Sequence, residues 1–176
     1  LVVTTVNGHT LSFAKRVGLI TENDVRVCDV KKVLLHQLSL DRFRGGNLDR
    51  LTETQFRSYE FAPRLARWLH VEDDLPSEPF DREIPDLPRK VWWVDNFGNL
   101  KLTLLPHDIG WHKNAEIETR VGWVRCHPHL SDVPDEAIGL VVGSSGYSHH
   151  RFLELVKKGG DASDHIGLTV GHPILA

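Results

Sequence analysis

Val91-Trp92-Trp93-Val94-Asp95-Asn96-Phe97-Gly98-Asn99-Leu100-Lys101-Leu102-Thr103 decides how this chain is read. An aromatic and β-branched run ends on a carboxylate, turns through Asn-Phe-Gly-Asn and leaves as a second alternating run, which is the pattern of a β-hairpin. Gly98-Asn99 supplies the positive φ that a tight turn needs. The polar side chains of Asp95, Asn96 and Asn99 therefore gather at one end of two strands. Such a turn serves a small-molecule site as well as it serves a plain hairpin, and both readings stand on this stretch alone.

Toward the C terminus, strand patterns run over 91–95, 100–105, 115–126 and 137–143. Glu116-Ile117-Glu118-Thr119-Arg120-Val121 alternates with period 2, as half-buried antiparallel sheet does. Residues 151–158, closed by Gly159-Gly160, read as a helix with a glycine cap, and 166–170 read as a last strand. The prediction for residues 90–176 is a mainly antiparallel β-barrel or sandwich with one helix.

Toward the N terminus, residues 71–89 place Pro76, Pro79, Pro85 and Pro88 among acidic residues, which reads as a linker and domain boundary. Residues 59–70 set Phe61, Leu65, Trp68 and Leu69 on one helical face, with Pro63 in the first turn, where its missing N–H is no loss. Residues 41–57, with Arg44-Gly45-Gly46-Asn47, read as a polar surface loop. Residues 25–40 shift from period 2 to period 3.6, a strand followed by a short helix or loop. Residues 1–6 read as a strand that Asn7-Gly8 ends. Residues 1–70 thus read as the C-terminal part of an incomplete α/β domain. The sequence contains no methionine and opens on strand-like Leu1-Val2-Val3, so a longer protein is expected.

A chain of 176 residues with 40% hydrophobic content can bury one good core, or a small core and part of another. The net charge of −3, with both signs interspersed, offers no broad footprint for nucleic acid. No apolar run is long enough to span a bilayer and no signal-peptide pattern opens the chain. The expectation is a soluble cytoplasmic protein with no membrane partner. Cys28 and Cys126 lie far apart without Cys-x-x-Cys spacing, so no disulfide framework is read. Cys126-His127-Pro128-His129 and His149-His150 do not supply the three or four converging ligands of a zinc site, and no metal is expected. Gly143-Ser144-Ser145-Gly146 misses the Gly-x-Ser-x-Gly elbow of a nucleophilic serine by one residue. It suits either a turn with solvent-facing hydroxyls or a cradle that offers N–H groups and hydroxyls to a carboxylate or amine.

Several ordered motifs carry a resemblance. Asp95-Asn96-Phe97-Gly98-Asn99-Leu100, Gly143-Ser144-Ser145-Gly146-Tyr147, Leu153-Glu154-Leu155, Gly160-Asp161-Ala162-Ser163 and Gly167-Leu168-Thr169-Val170-Gly171-His172-Pro173 look like the C-terminal domain of the S-adenosylmethionine hydroxide adenosyltransferases, relatives of the fluorinase and chlorinase. Phe56-Arg57-Ser58-Tyr59-Glu60-Phe61-Ala62-Pro63 resembles the segment that closes that family's N-terminal domain, and Val6-Asn7-Gly8 resembles its Asp-Asn-Gly turn. Residues 50–176 carry the likeness well and 1–49 loosely.

The resemblance implies an α/β domain followed by a β-barrel, a homotrimer with sites between subunits, and displacement of methionine from the ribose C5′ by water or halide. S-adenosylmethionine is then a substrate, and no cofactor is implied. Asp95 would hold the methionine ammonium, with Ser144 and Ser145 at its carboxylate. Phe97 and Asn99 would take the adenine, Phe56 and Ser58 would line the pocket of the nucleophile, and Ser58 and Arg57 would stand at the catalytic positions. Three departures stand out. The family's first-strand Asp and its Asp-Pro-Gly-Val-Gly-Thr loop have no counterpart in this sequence. Arg57, Ser58, Tyr59 and Glu60 replace the His, Gly, Arg and Asp of the Phe-His-Gly-Arg-Asp motif. Ser148-His149-His150-Arg151-Phe152 is inserted after Gly146-Tyr147. A nucleoside or S-adenosylmethionine binding module without turnover is the alternative function.

Overall fold

A computed structural model describes residues 3–5, 9–43, 46–71 and 74–175. The Val6-Asn7-Gly8 turn and most of the strand expected over 1–6 lie outside the described residues, and 3–5 form no strand. The chain divides into two compact units. One holds the residues up to Lys15 together with Leu19–Pro85, and the other holds Arg16–Gly18 and the residues from Asp86 onward. Together they make a mixed α/β protein.

The first unit is mainly helical: α1 (Thr10–Arg16), β1 (Arg26–Val27), α2 (Val30–Ser39), α3 (Leu48–Glu53), α4 (Arg57–Glu60), α5 (Ala62–Val71) and β2 (Glu78–Pro79). The Asp29 carboxylate caps α2 by accepting the Lys32 N–H at 2.8 Å. The predicted amphipathic helix is present as α4 and α5, and Leu65 and Trp68 of α5 are buried. Phe61 meets Trp68 edge to face at 6.3 Å. Val33, Leu34, Leu51 and Leu75 complete this small core.

Two expectations change here. Residues 41–57 are not a loop throughout, because Asn47 caps α3 by accepting the Arg50 N–H at 3.1 Å, and Leu51 anchors that helix in the core. Within 71–89, β2 pairs with β1 (Arg26↔Pro79, Val27↔Glu78), and Leu75 and Ile84 are buried.

The second unit is built on one six-stranded sheet. Its strands are β3 (Val91–Val94), β4 (Leu100–Leu102), β5 (Glu116–Thr119), β6 (Gly122–His127), β7 (Ile138–Tyr147) and β8 (His150–Lys157). They lie in the order β3-β4-β8-β7-β6-β5. All pairings are antiparallel except β6 with β7. The core is formed by residues such as Leu100, Leu102, Cys126, Leu140, Leu153 and Leu155. Each large apolar side chain taken from water contributes about 1.5–3 kcal/mol.

The edge strands β3 and β5 do not pair with each other among the described residues. The C-terminal segment instead touches both ends of the sheet. His172 O accepts the Val91 N–H of β3, and Ile174 O accepts the Arg120 N–H just after β5, each at 2.9 Å.

The helix expected at 151–158 is a strand. Phe152, Leu153, Leu155 and Val156 are all buried on a strand flanked by β4 and β7, so burial on both faces erases the period-2 signal. The strand expected at 166–170 is also absent. Helix α6 (Ala162–Ile166) occupies its approach, capped by Asp161 and closed by Gly167 at φ +66.

Candidate functional site

The β3–β4 turn is held by one carboxylate. Asp95 Oδ1 accepts the N–H groups of Phe97 at 2.9 Å and Asn99 at 3.0 Å, and Oδ2 accepts the Asn99 side-chain amide at 3.2 Å. Gly98 sits at φ +76, and a Cβ there would fall 2.0 Å from the Asp161 carboxylate, so only glycine fits between the turn and the cap of α6. Ser163 N–H donates to Gly98 O at 3.0 Å and ties the same turn to α6. Constrained on both sides, the turn leaves the Phe97 ring 79% exposed.

A second feature lies on β7. The β7–β8 register runs regularly to Val142↔Leu153, breaks, and resumes at Gly146↔Arg151, so Gly143-Ser144-Ser145 forms a bulge. Glu154 fills the space under it. Ser144 N–H donates to Glu154 Oε1 at 3.2 Å, and a Cβ on Gly143 would fall 2.2 Å from that oxygen. Arg151, within the inserted segment, donates to Ser144 O at 2.8 Å and so stiffens the bulge.

Lys101 joins the turn to the bulge. It faces Glu154 across the β4–β8 pair, and its Nζ lies 2.7 Å from Glu154 Oε1 and 3.4 Å from Asp95 Oδ2. The side chains of Lys101, Asp95 and Glu154 are 15%, 20% and 9% exposed. Two carboxylates around one ammonium leave a formal excess of one negative charge in a poorly solvated place, which favours a cationic group. Burial pushes the Asp95 carboxyl up, but the Phe97 and Asn99 donors and the Lys101 charge outweigh it and hold the group below its ordinary value.

The structure therefore brings Asp95, Asn99 and Ser144 into one polar network, with Phe97 beside it on the turn. Ser145 lies on the same bulge. Sequence reading missed the two residues that make the connection, Lys101 and Glu154. The available signal was two charges at apolar-flanked strand positions, Leu100-Lys101-Leu102 and Leu153-Glu154-Leu155.

Phe56, Arg57 and Ser58 belong to the first unit. Phe56 precedes α4, its N–H donating to Thr54 Oγ1 at 3.0 Å, and its ring is 72% exposed. Arg57 and Ser58 are exposed on the first turn of α4. Cys126 is fully buried, and burial pushes its thiol up to about 11. Among the described residues no three His, Cys, Asp or Glu side chains converge as metal ligands, and no helix is long and apolar enough to cross a membrane.

Neither a known family profile nor a curated protein matches the chain. Solved structures do. A conserved hypothetical protein from Thermus thermophilus is 26% identical with a TM-score of 0.50, covering 69% of this chain and 52% of its own. An uncharacterized conserved protein from Thermotoga maritima is 18% identical with a TM-score of 0.49, covering 74% and 53%. The chain thus spans about half the length of each.

Proposed function

We propose that the chain is part of an S-adenosylmethionine hydroxide adenosyltransferase-like enzyme that yields adenosine and methionine. The observation that carries this reading is the Asp95–Lys101–Glu154 network beside the exposed Phe97 ring. Its excess negative charge suits a ligand that is a cation overall, as S-adenosylmethionine is with a sulfonium, an ammonium and a carboxylate. Asp95 takes the ammonium, and Ser144 and Ser145 take the carboxylate. Phe97 packs on the adenine, whose edge Asn99 reads through its amide.

In the reaction the oxygen of water attacks the ribose C5′ and the C5′–S bond breaks. The bonding pair leaves with sulfur as the neutral thioether of methionine, and the water proton passes to solvent. Such an in-line substitution depends on positioning and desolvation more than on covalent help. Phe56, Arg57 and Ser58 line the pocket of the nucleophile. The finer architecture that accompanies this proposal is a barrel-like second unit, whose edge strands the 171–174 segment links, and a homotrimer with sites between subunits.

The replacements at Arg57, Ser58, Tyr59 and Glu60 favour a second reading, a module that binds S-adenosylmethionine or a nucleoside without turnover. Incubation with S-adenosylmethionine, with and without chloride, followed by chromatography, separates the possibilities. Adenosine and methionine above the protein-free blank support the hydrolase. 5′-chloro-5′-deoxyadenosine would move the reading to halide as nucleophile. Binding without product supports the module, and neither binding nor product overturns both. Asp95→Asn, which keeps an acceptor for the Phe97 and Asn99 N–H groups that hold the turn, is expected to weaken S-adenosylmethionine by about 2–5 kcal/mol while sparing adenosine, because it leaves a buried ammonium unpaired.

A further inference from the structure

The Lys101 ammonium does not sit evenly between its two carboxylates. Its Nζ is 2.7 Å from Glu154 Oε1 but 3.4 Å from Asp95 Oδ2, whereas a charge-assisted N–H···O bond closes to about 2.7–2.9 Å. Lys101 is thus bonded to Glu154 and only near Asp95. The strand register holds it there: Trp93, Lys101, Glu154 and Val141 lie opposite one another across β3, β4, β8 and β7 and so share one face of the sheet. Glu154 Oε1 also accepts the Ser144 N–H at 3.2 Å, so the oxygen that holds Lys101 meets the bulge as well. Asp95 keeps spare accepting capacity. Its Oδ1 takes two backbone N–H groups, while among the described residues Oδ2 takes one hydrogen bond, from the Asn99 amide.

We propose that Glu154 is a positioning residue: by drawing the Lys101 ammonium to itself, it keeps Asp95 Oδ2 open for the ammonium of the ligand. This inference rests on the S-adenosylmethionine reading of the same turn. The charges decide the consequence. Asp95, Lys101 and Glu154 together carry a formal −1, which attracts an arriving cation. Without the Glu154 charge the sum is zero, and the near carboxylate left to Lys101 is Asp95. The chain's own ammonium then takes the oxygen that the ligand needs. Removing Lys101 and Glu154 together restores the −1, now on Asp95 itself, with no internal competitor. Adenosine has no ammonium and is indifferent to all of these changes. A pair that served the fold alone would affect both ligands equally.

The test is calorimetric titration of the whole chain, of Glu154→Gln, and of Lys101→Met combined with Glu154→Leu, each with S-adenosylmethionine and with adenosine. Matched thermal melts establish that the variants fold. Glu154→Gln keeps an oxygen for the Ser144 N–H and is expected to weaken S-adenosylmethionine by about tenfold or more, the loss of a charge-assisted hydrogen bond, with adenosine unchanged. The double variant should recover most of that loss, which a merely structural role would not do. A second readout needs no ligand: carbon NMR follows the Asp95 carboxyl through acid pH, its signal assigned by its absence in Asp95→Asn. As Lys101 turns to Asp95 in Glu154→Gln, the carboxyl, already held low, should titrate at a still lower pH. Asp161, beside Gly98, is the same in every variant. Unchanged S-adenosylmethionine affinity in Glu154→Gln, equal weakening of both ligands, no recovery in the double variant, or an unmoved Asp95 midpoint would overturn the proposal. If the parent does not bind S-adenosylmethionine, the functional reading falls and the Asp95 midpoint alone decides: a drop upholds the role of Glu154, and constancy overturns it.

Discussion

Lys101 Nζ lies 2.7 Å from Glu154 Oε1 across the β4–β8 pair, where both side chains are largely withdrawn from solvent. Removing one partner strands the other charge. Lys101→Met is expected to destabilise the second unit by about 3–5 kcal/mol, whereas Lys101→Met with Glu154→Leu should return close to the parent. Urea unfolding of the two single variants and the double variant measures the coupling. Simple additivity would show that the pair is not energetically linked.

The Asp95 turn predicts an acid dependence. Burial alone would raise its folded pKa, but its hydrogen bonds and Lys101 outweigh burial and lower it. The contribution it makes to stability is therefore present above the unfolded value of about 3.9 and is lost as pH falls through the folded value. Asp95→Asn keeps an acceptor for the backbone N–H groups but removes the charge. The stability gap between parent and variant should be full near neutral pH and should close in acid. A gap that persists below the carboxylate range would contradict the assignment. The parent remains acid-sensitive in either case, since Asp108 is also held low: its burial is outweighed by hydrogen bonds, the first of them from Arg16.

Much of this geometry was legible in the sequence, and the reason it stopped where it did is physical. The β3–β4 hairpin and the amphipathic α5 announce themselves through period and turn chemistry, which are local. Strand β8 does not, because a strand covered on both faces reads as a continuous apolar run and Glu154 within it mimics a helical polar position. Helix α3 has six residues and one buried anchor, Leu51, too little for a periodic signal. The Lys101–Glu154 contact spans 53 positions and exists only once β4 and β8 are neighbours, so no local pattern could reveal it.

Gly143 marks a close approach of the β7 bulge to Glu154. An added methyl would fall 2.2 Å from Oε1 and 2.4 Å from Cγ and Cδ, and Glu154 cannot swing away because Lys101 holds it. Gly143→Ala should therefore cost about 1–3 kcal/mol, as overpacking does. In a Glu154→Ala background the clash partner is gone, and the added cost of Gly143→Ala should largely vanish. Equal costs in the two backgrounds, measured by denaturant midpoint, would locate the strain elsewhere.

Phe97 separates the needs of the fold from those of the ligand. Its ring is 79% exposed, so replacing it removes little packing, and Phe97→Ala should change unfolding free energy by no more than about 0.5 kcal/mol. The turn itself is unaffected, because Asp95 accepts the backbone N–H of residue 97 rather than anything on its side chain. If the ring packs on adenine, the same substitution should weaken S-adenosylmethionine and adenosine alike by about tenfold, the usual worth of one base–aromatic stack. That parallel loss contrasts with Asp95→Asn, which keeps the turn's acceptor and should spare adenosine. Unchanged affinity for both ligands in Phe97→Ala, with melting also unchanged, would remove the adenine from this turn and leave the Lys101–Glu154 network as a device of the fold alone.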